Sequence, residues 1–366
     1  VEGRIRFLDQ LADGEALIRH QGRHPEAATD PPGDQGFLMG NAQILQRYPH
    51  VLGDLQRPLH AGTGQQQGEL LAAVAGGEIV LYRNIATTPG KVVFENDLAQ
   101  LIQYEPTTKN VFKRPLLVIP PWINKFYILD LGEKKSYVRY LLEQGHTVFM
   151  ISWVNPDEHL ASKSFEDYMT LGPMAAIEQM AAITGEANVN IVGYCLGGTL
   201  LSCMLAYLNK HPEIKASLPN VSCATYLVTM LDFSDAGELS VFIDDEQLNA
   251  MEERMNAQGY LDASAMATTF NMLRANDLIW SFVVNNYLMG KEPFPFDLLY
   301  WNSDSTRMPA AMHSFYLRNM YQNNRLIQPG ALTLGGVKID LTTIKTPSYL
   351  LSTREDHIAP WKSTYA

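Results

Sequence analysis

The apolar positions of this chain fall into short, nearly continuous runs separated by stretches with helical spacing. Pro115-Leu116-Leu117-Val118-Ile119-Pro120-Pro121 is one such run, closed by two prolines. His146 to Trp153 is another, wholly apolar at its centre; Val189 to Tyr194, Ala224 to Met230 and Pro347 to Ser352 complete the series. Between them, about Ser136 to Gln144, Phe165 to Ile183 and Leu196 to about Asn209 carry the wider spacing of helices. Strands apolar on both faces and alternating with helices predict a parallel sheet covered on both sides. Val92 to Asn96 and Leu98 to Tyr104 read as a hairpin ahead of it, ending at Pro106.

Two segments break this rhythm. Residues 1–90 mix short helical patterns with polar, Gly- and Pro-rich pieces such as His24 to Gly36 and Ala61 to Gly68. They read as an N-terminal extension, either a partner-binding arm or a loosely packed addition. From Phe233 to about Pro329 the chain is rich in aromatic residues and methionine, with few strand signals. An insertion at that point predicts a helical cap over the strand ends, where ligands bind in open α/β sheets. The expected division is therefore 1–90 extension, 91–232 first part of the core, 233–329 cap or lid, and 330–366 second part of the core.

The stretch Ile191 to Leu208 has 18 residues and no charge, long enough to raise a membrane span. Gly193, Gly197, Gly198, Thr199 and Ser202 interrupt it, so a buried strand, a turn and a buried helix describe it better. Gly193-Tyr194-Cys195-Leu196-Gly197 then sets a thiol in a sharp strand-to-helix turn, the G-x-S-x-G arrangement with sulfur in place of oxygen. Gly193 and Gly197 let strand and helix approach closely. The turn lifts the thiol above the strand ends, and the helix N-terminus favours the thiolate. The plain alternative is a small buried cysteine in a glycine turn.

Composition narrows the setting. A net charge of −11 argues against general nucleic-acid binding. Hydrophobic residues at 46% against 18% charged suit a chain with a large core. The three cysteines, Cys195, Cys203 and Cys223, are odd in number and lack metal-ligand spacing. Neither a disulfide framework nor a metal site is expected, and a reducing cytoplasm is. The first residues, Val1-Glu2-Gly3-Arg4, show no charged-then-apolar signal sequence.

A thiol nucleophile needs a base and a group that orients the base. In folds built on this elbow the chain order is nucleophile, acid, histidine. Asp356 lies just after the strand Pro347 to Ser352, in the acid's place; Asp232 and Asp235 are the other candidates. Of the nine histidines only His357 follows Asp356, and adjacent side chains point apart. His146 begins a strand and His313 lies in the cap. No histidine in the chain is well placed as the base, which is expected beyond Ala366. An oxyanion hole needs two backbone N–H groups. Leu196 supplies one; the other comes from Trp122 or Ile123, with Ile123 preferred, because Pro120 and Pro121 have no N–H.

Pro120-Pro121-Trp122-Ile123-Asn124-Lys125-Phe126-Tyr127-Ile128-Leu129-Asp130-Leu131 resembles a sequence block of the polyhydroxyalkanoate synthases. Gly193-Tyr194-Cys195-Leu196-Gly197-Gly198-Thr199 is similar to their lipase-like box with cysteine, and Ser352-Thr353-Arg354-Glu355-Asp356-His357-Ile358 to a further block. Leu231-Asp232-Phe233, Asn276 to Trp280 and Pro295 to Asn302 match as well, so the likeness runs from about Asn84 to the end. It implies an α/β-hydrolase fold with a cap, in a cytoplasmic enzyme on the surface of storage granules. That enzyme polymerises (R)-3-hydroxyacyl-CoA, here 3-hydroxybutyryl-CoA, into polyester and releases coenzyme A. No cofactor is implied, since coenzyme A is part of the substrate and a product. Cys195 would carry the chain as a thioester, Asp356 would be the acid, and the base would lie in a Gly-His block beyond Ala366. A homodimer is implied and no transmembrane segment is. A hydrolase on the same elbow and an inert granule-binding protein are the competing readings.

Overall fold

The computed structural model describes residues 85–273, 280–281, 283–291 and 297–364. Most of the 1–90 extension lies outside them, as do parts of two sequence blocks within 233–329. All described residues fall in the compact unit Gly62–Ala366.

Seven strands form the central sheet: β1 (Gly90–Glu95), β2 (Ala99–Tyr104), β3 (Leu116–Ile119), β4 (Val148–Trp153), β5 (Asn188–Tyr194), β6 (Asn220–Leu227) and β7 (Ser348–Leu351). Their order is β1-β2-β4-β3-β5-β6-β7. The hairpin β1–β2 and the pair β2–β4 are antiparallel. Every other pairing is parallel. A parallel neighbour cannot be reached by a tight turn, so each crossover carries a helix. The first is α1 (Tyr137–Glu143), whose N-terminus is capped by Ser136 accepting from the Arg139 N–H at 2.9 Å.

The helical span from Phe165 is continuous but not uniform. It runs as α2 (Phe165–Met169), a π-turn over Thr170–Met174, and α3 (Ala175–Thr184). Pro173 sits inside the turn, where its missing N–H loosens the ladder. Gly172, in the same turn, lies where a Cβ would come within 2.4 Å of the Trp153 ring. Ser164 and Asp167 close the start of α2 with a capping box.

Beyond β5 the chain turns at Cys195 into α4 (Leu196–Lys210), buried from Leu196 to Leu208. The uncharged stretch is thus a sheet strand and a core helix. No helix among the described residues is long and apolar enough to cross a membrane.

One strand differs from its sequence pattern. β6 is Asn220–Leu227, not Ala224 to Met230. It starts early because Asn220 and Ser222 both hydrogen-bond Asn188 on β5, at 3.1 and 3.3 Å. It ends early because Val228 adopts a φ of +46°, and the residues that follow turn towards α4. There Thr199 Oγ1 donates to the Met230 carbonyl at 2.8 Å. Cys223 accordingly lies within the strand.

The segment after β6 contains α5 (Asp245–Gln258), α6 (Ala263–Leu273), α7 (Asp297–Ser303) and α8 (Ala310–Tyr316). Its apolar residues Leu248, Met255, Leu261, Met312 and Met320 join one core with Leu200 and Met204 of α4. Arg318 ties the outer face of α5, donating to Glu252 at 2.8 and 3.0 Å and to Asn249 at 2.6 Å. Aromatic richness here therefore reflects packing as much as chemistry.

The glycines of the elbow are set by contact distance. A Cβ on Gly193 would stand 2.4 Å from the Gly198 Cα, and one on Gly197 only 1.9 Å from the Ile119 carbonyl oxygen. That obstruction is backbone, which cannot rotate away. Gly197→Ala is expected to destabilise the protein by about 3 kcal/mol or more. Denaturant unfolding would measure the loss; an unchanged midpoint would contradict this packing.

Candidate active site

Cys195 has φ 52° and ψ −122°, a conformation strained for a residue with a side chain. Such strain costs on the order of 1–3 kcal/mol and persists only where neighbours enforce it. The Cys195 N–H donates to the Leu227 carbonyl at 2.9 Å, and its own carbonyl accepts from the Gly198 N–H at 2.9 Å. Gly198 is a third glycine the turn depends on, since a Cβ there would stand 2.0 Å from Thr229 Oγ1. The motif spacing draws attention to Gly193 and Gly197 alone.

Cys195 as a residue is half-buried, and it borders a cavity of about 110 Å³. Ile123, Leu196, Met230, Leu261, Leu317 and Ile358 are among the apolar residues lining it. Burial in these surroundings pushes the Cys195 thiol up to about 11. The Leu196 N–H hydrogen-bonds the sulfur and opposes that rise, while the nearby Asp356 carboxylate adds to it. The helix N-terminus does favour the thiolate, as the sequence suggests, but desolvation outweighs it. Burial therefore favours the neutral thiol over the thiolate at Cys195.

Asp356 follows β7 in a turn of its own making. Its Oδ1 accepts from the N–H groups of Ile358 at 2.9 Å and Ala359 at 2.8 Å. Oδ2 accepts no hydrogen bond among the described residues, and the carboxylate is within electrostatic range of both Tyr194 and Cys195. Asp232 is placed differently. Burial raises its carboxyl, but hydrogen bonds from Ser234 and Asn324 outweigh this and hold it below the ordinary range. Its Oδ1 accepts from the Ser234 N–H at 2.8 Å and Asn324 Nδ2 at 2.7 Å, joining the loop after β6 to the far end of the 233–329 segment. Asp235 is exposed, and its carbonyl accepts from Ser363.

Ile123 lines the cavity with Leu196. Trp122, by contrast, is buried edge-on against Phe165, Tyr168 and Tyr316. The order of Pro120-Pro121-Trp122-Ile123 thus gives the tryptophan to the core and leaves Ile123 at the site.

The histidines separate clearly. His20, His24, His50 and His60 lie outside the described residues. His146 packs on Phe112 near the N-terminal end of β4, the end of the parallel sheet opposite Cys195. His159 lies in a short helical turn, and His211 bonds Glu213 at 2.7 Å. His357 follows Asp356, and its backbone carbonyl packs against Gly237. His313, on α8, is the histidine among the described residues that borders the Cys195 cavity. Tyr316 and Tyr321 border it too, and Tyr321 donates to Met230 Sδ at 3.7 Å. In sequence these tyrosines are two aromatics among many; only their place beside the sulfur distinguishes them.

Residues 133–366 match the family described as alpha/beta hydrolase fold, and residues 50–141 the family described as Poly-beta-hydroxybutyrate polymerase (PhaC) N-terminus. The chain is 54% identical to the Poly(3-hydroxyalkanoate) polymerase of Methylorubrum extorquens, over 90% of this chain and 54% of that protein. The chain belongs to the α/β-hydrolase family. A second relative, the Poly(3-hydroxyalkanoate) polymerase subunit PhaC of Rhizobium meliloti (strain 1021), is 50% identical over 85% of this chain and 49% of that protein. The subunit of the same name from Cupriavidus necator is 46% identical over 99% of this chain and 59% of that protein. The chain spans about half the length of the curated relatives it matches. The expectation of an α/β-hydrolase fold holds: a mostly parallel central sheet with helices in its crossovers suits such a core.

Proposed function

We propose that this chain carries the catalytic centre of a polyhydroxyalkanoate synthase, which transfers (R)-3-hydroxyacyl groups from coenzyme A to a growing polyester through a thioester on Cys195. The observation that carries the proposal is a cysteine held on a strained strand-to-helix elbow and bordering an apolar cavity. The names and identities of the relatives support the same reading.

The chemistry follows from the residues. Loss of the thiol proton to a base gives the Cys195 thiolate, which attacks the carbonyl carbon of the acyl-CoA. Negative charge collects on the former carbonyl oxygen, where the N–H groups of Leu196 and Ile123 would receive it. The carbon–sulfur bond to coenzyme A breaks, and the departing sulfur takes back a proton. The hydroxyl of another hydroxyacyl unit then attacks the enzyme thioester, forming an ester and freeing Cys195. Asp356 would steady the imidazole that carries these protons, through Oδ2. On the family resemblance that imidazole would come from a Gly-His block. The apolar cavity would keep water from the thioester, and a cap formed by 233–329 would admit substrate and release polymer. A homodimer, a cytoplasmic location and attachment to polyester granules belong to the same proposal.

The test is product analysis with the full-length protein and 3-hydroxybutyryl-CoA. The proposal expects free coenzyme A together with polyester. Coenzyme A with only monomeric 3-hydroxybutyrate would make the protein a hydrolase. No coenzyme A at all, with Cys195 unmodified, would point to a structural role.

A further inference from the structure

The cavity beside Cys195 is about 110 Å³, room for roughly four water-sized groups and so on the scale of a short acyl chain. Few polar side chains reach it, and most are already engaged. Thr269 donates its hydroxyl to the Ala265 carbonyl at 3.0 Å. Tyr321 donates to Met230 Sδ, and Tyr316 and Tyr321 hydrogen-bond each other.

His313 is the exception. The residue is 2% exposed, and its Nδ1 is buried without a hydrogen-bond partner among the described residues. Buried polar atoms in folded proteins are paired with few exceptions, and an orphan beside a cavity marks a place for a ligand's hydrogen bond. Burial pushes the imidazole down to about 4. Near neutral pH it is therefore uncharged, with one nitrogen donating and the other accepting. Such a ring is a weak base but a good match for an alcohol, which also donates and accepts.

We propose that His313 is the specificity residue that hydrogen-bonds the 3-hydroxyl of the acyl group bound at Cys195, and so selects 3-hydroxyacyl over unsubstituted acyl chains. This rests on the proposed acyl transfer and names the feature of the substrate that the cavity reads. A site built around a substrate hydroxyl discriminates strongly against the analogue lacking it, because the buried partner is then left unpaired. An apolar cavity without that partner would discriminate weakly.

The experiment measures single-turnover acylation of Cys195 in the full-length protein, by intact mass and coenzyme A release, with 3-hydroxybutyryl-CoA and with butyryl-CoA. The wild type is expected to prefer the hydroxyacyl substrate by about a hundredfold or more. In His313→Leu that preference is expected to fall at least about tenfold, through slower reaction of the hydroxyacyl substrate alone. His313→Asn, which keeps polar atoms near the position of Nδ1, is expected to recover part of it. A purely structural role would slow both substrates alike and leave the ratio unchanged. An unchanged ratio in folded His313→Leu overturns the proposal, and so does a wild type that accepts both substrates equally, whatever the variants do. If neither substrate acylates the wild type, the acyl-transfer reading itself fails.

Discussion

Cys195→Ala is expected to abolish acyl transfer in the full-length protein, by a factor on the order of 10⁶ where a nucleophile is removed outright. Cys203→Ala and Cys223→Ala should retain most activity. Cys203 is wholly buried within α4, where desolvation pushes its thiol up to about 12, and Cys223 lies along β6. Neither borders the cavity. Coenzyme A release measured for the three variants separates the roles, and robust turnover by Cys195→Ala would end the assignment. Alkylation offers a second check. Burial raises the Cys195 thiol, so the reactive thiolate is scarce near neutral pH. Without an assisting base, its alkylation rate should climb about tenfold per pH unit until about pH 11.

Asp356→Asn is expected to lower turnover by about 10⁴ while leaving the fold intact, because a carboxylate that orients an imidazole also sets its tautomer. The substitution is mild locally. Asparagine keeps an Oδ1 that can accept from Ile358 and Ala359, so the turn after β7 should persist. What it loses is the negative charge at Oδ2. Asp232→Asn makes the informative comparison. Asp232 binds Ser234 and Asn324, so its replacement should reduce stability more than turnover. Turnover and denaturant midpoints for both variants decide the matter; a crippled Asp232→Asn beside an active Asp356→Asn would place the acid after β6.

Much of the core is legible in the sequence because parallel strands leave a strong trace. β3, β4 and β5 are buried on both faces, and a run apolar at nearly every position between turn residues suits few elements besides such a strand. The elbow is legible for a related reason. A Cβ on Gly193 or Gly197 would stand only 2.4 or 1.9 Å from neighbouring backbone, and glycine alone avoids that clash. β6 is less legible because its first residues are polar. Asn220 and Ser222 belong to the strand through their bonds to Asn188, a partner some thirty residues away.

The sheet, its crossover helices and the place of Cys195 at a glycine-flanked turn all follow from sequence alone. Those features depend on local conformation and on one-dimensional apolar pattern. The state of the thiol does not. Desolvation is a property of everything gathered round the sulfur: Met230 from beyond β6, Leu261, Tyr316 and Tyr321 from the segment between β6 and β7, Ile358 from beyond β7. Tertiary packing likewise sets Asp356 apart from Asp232, two carboxylates each just past a strand, by giving the latter Asn324 as a partner. It also draws His313, one histidine of nine, against the cavity of a cysteine more than a hundred positions before it. Long-range contacts fix these things, and a linear pattern carries no record of which distant side chains will share one pocket.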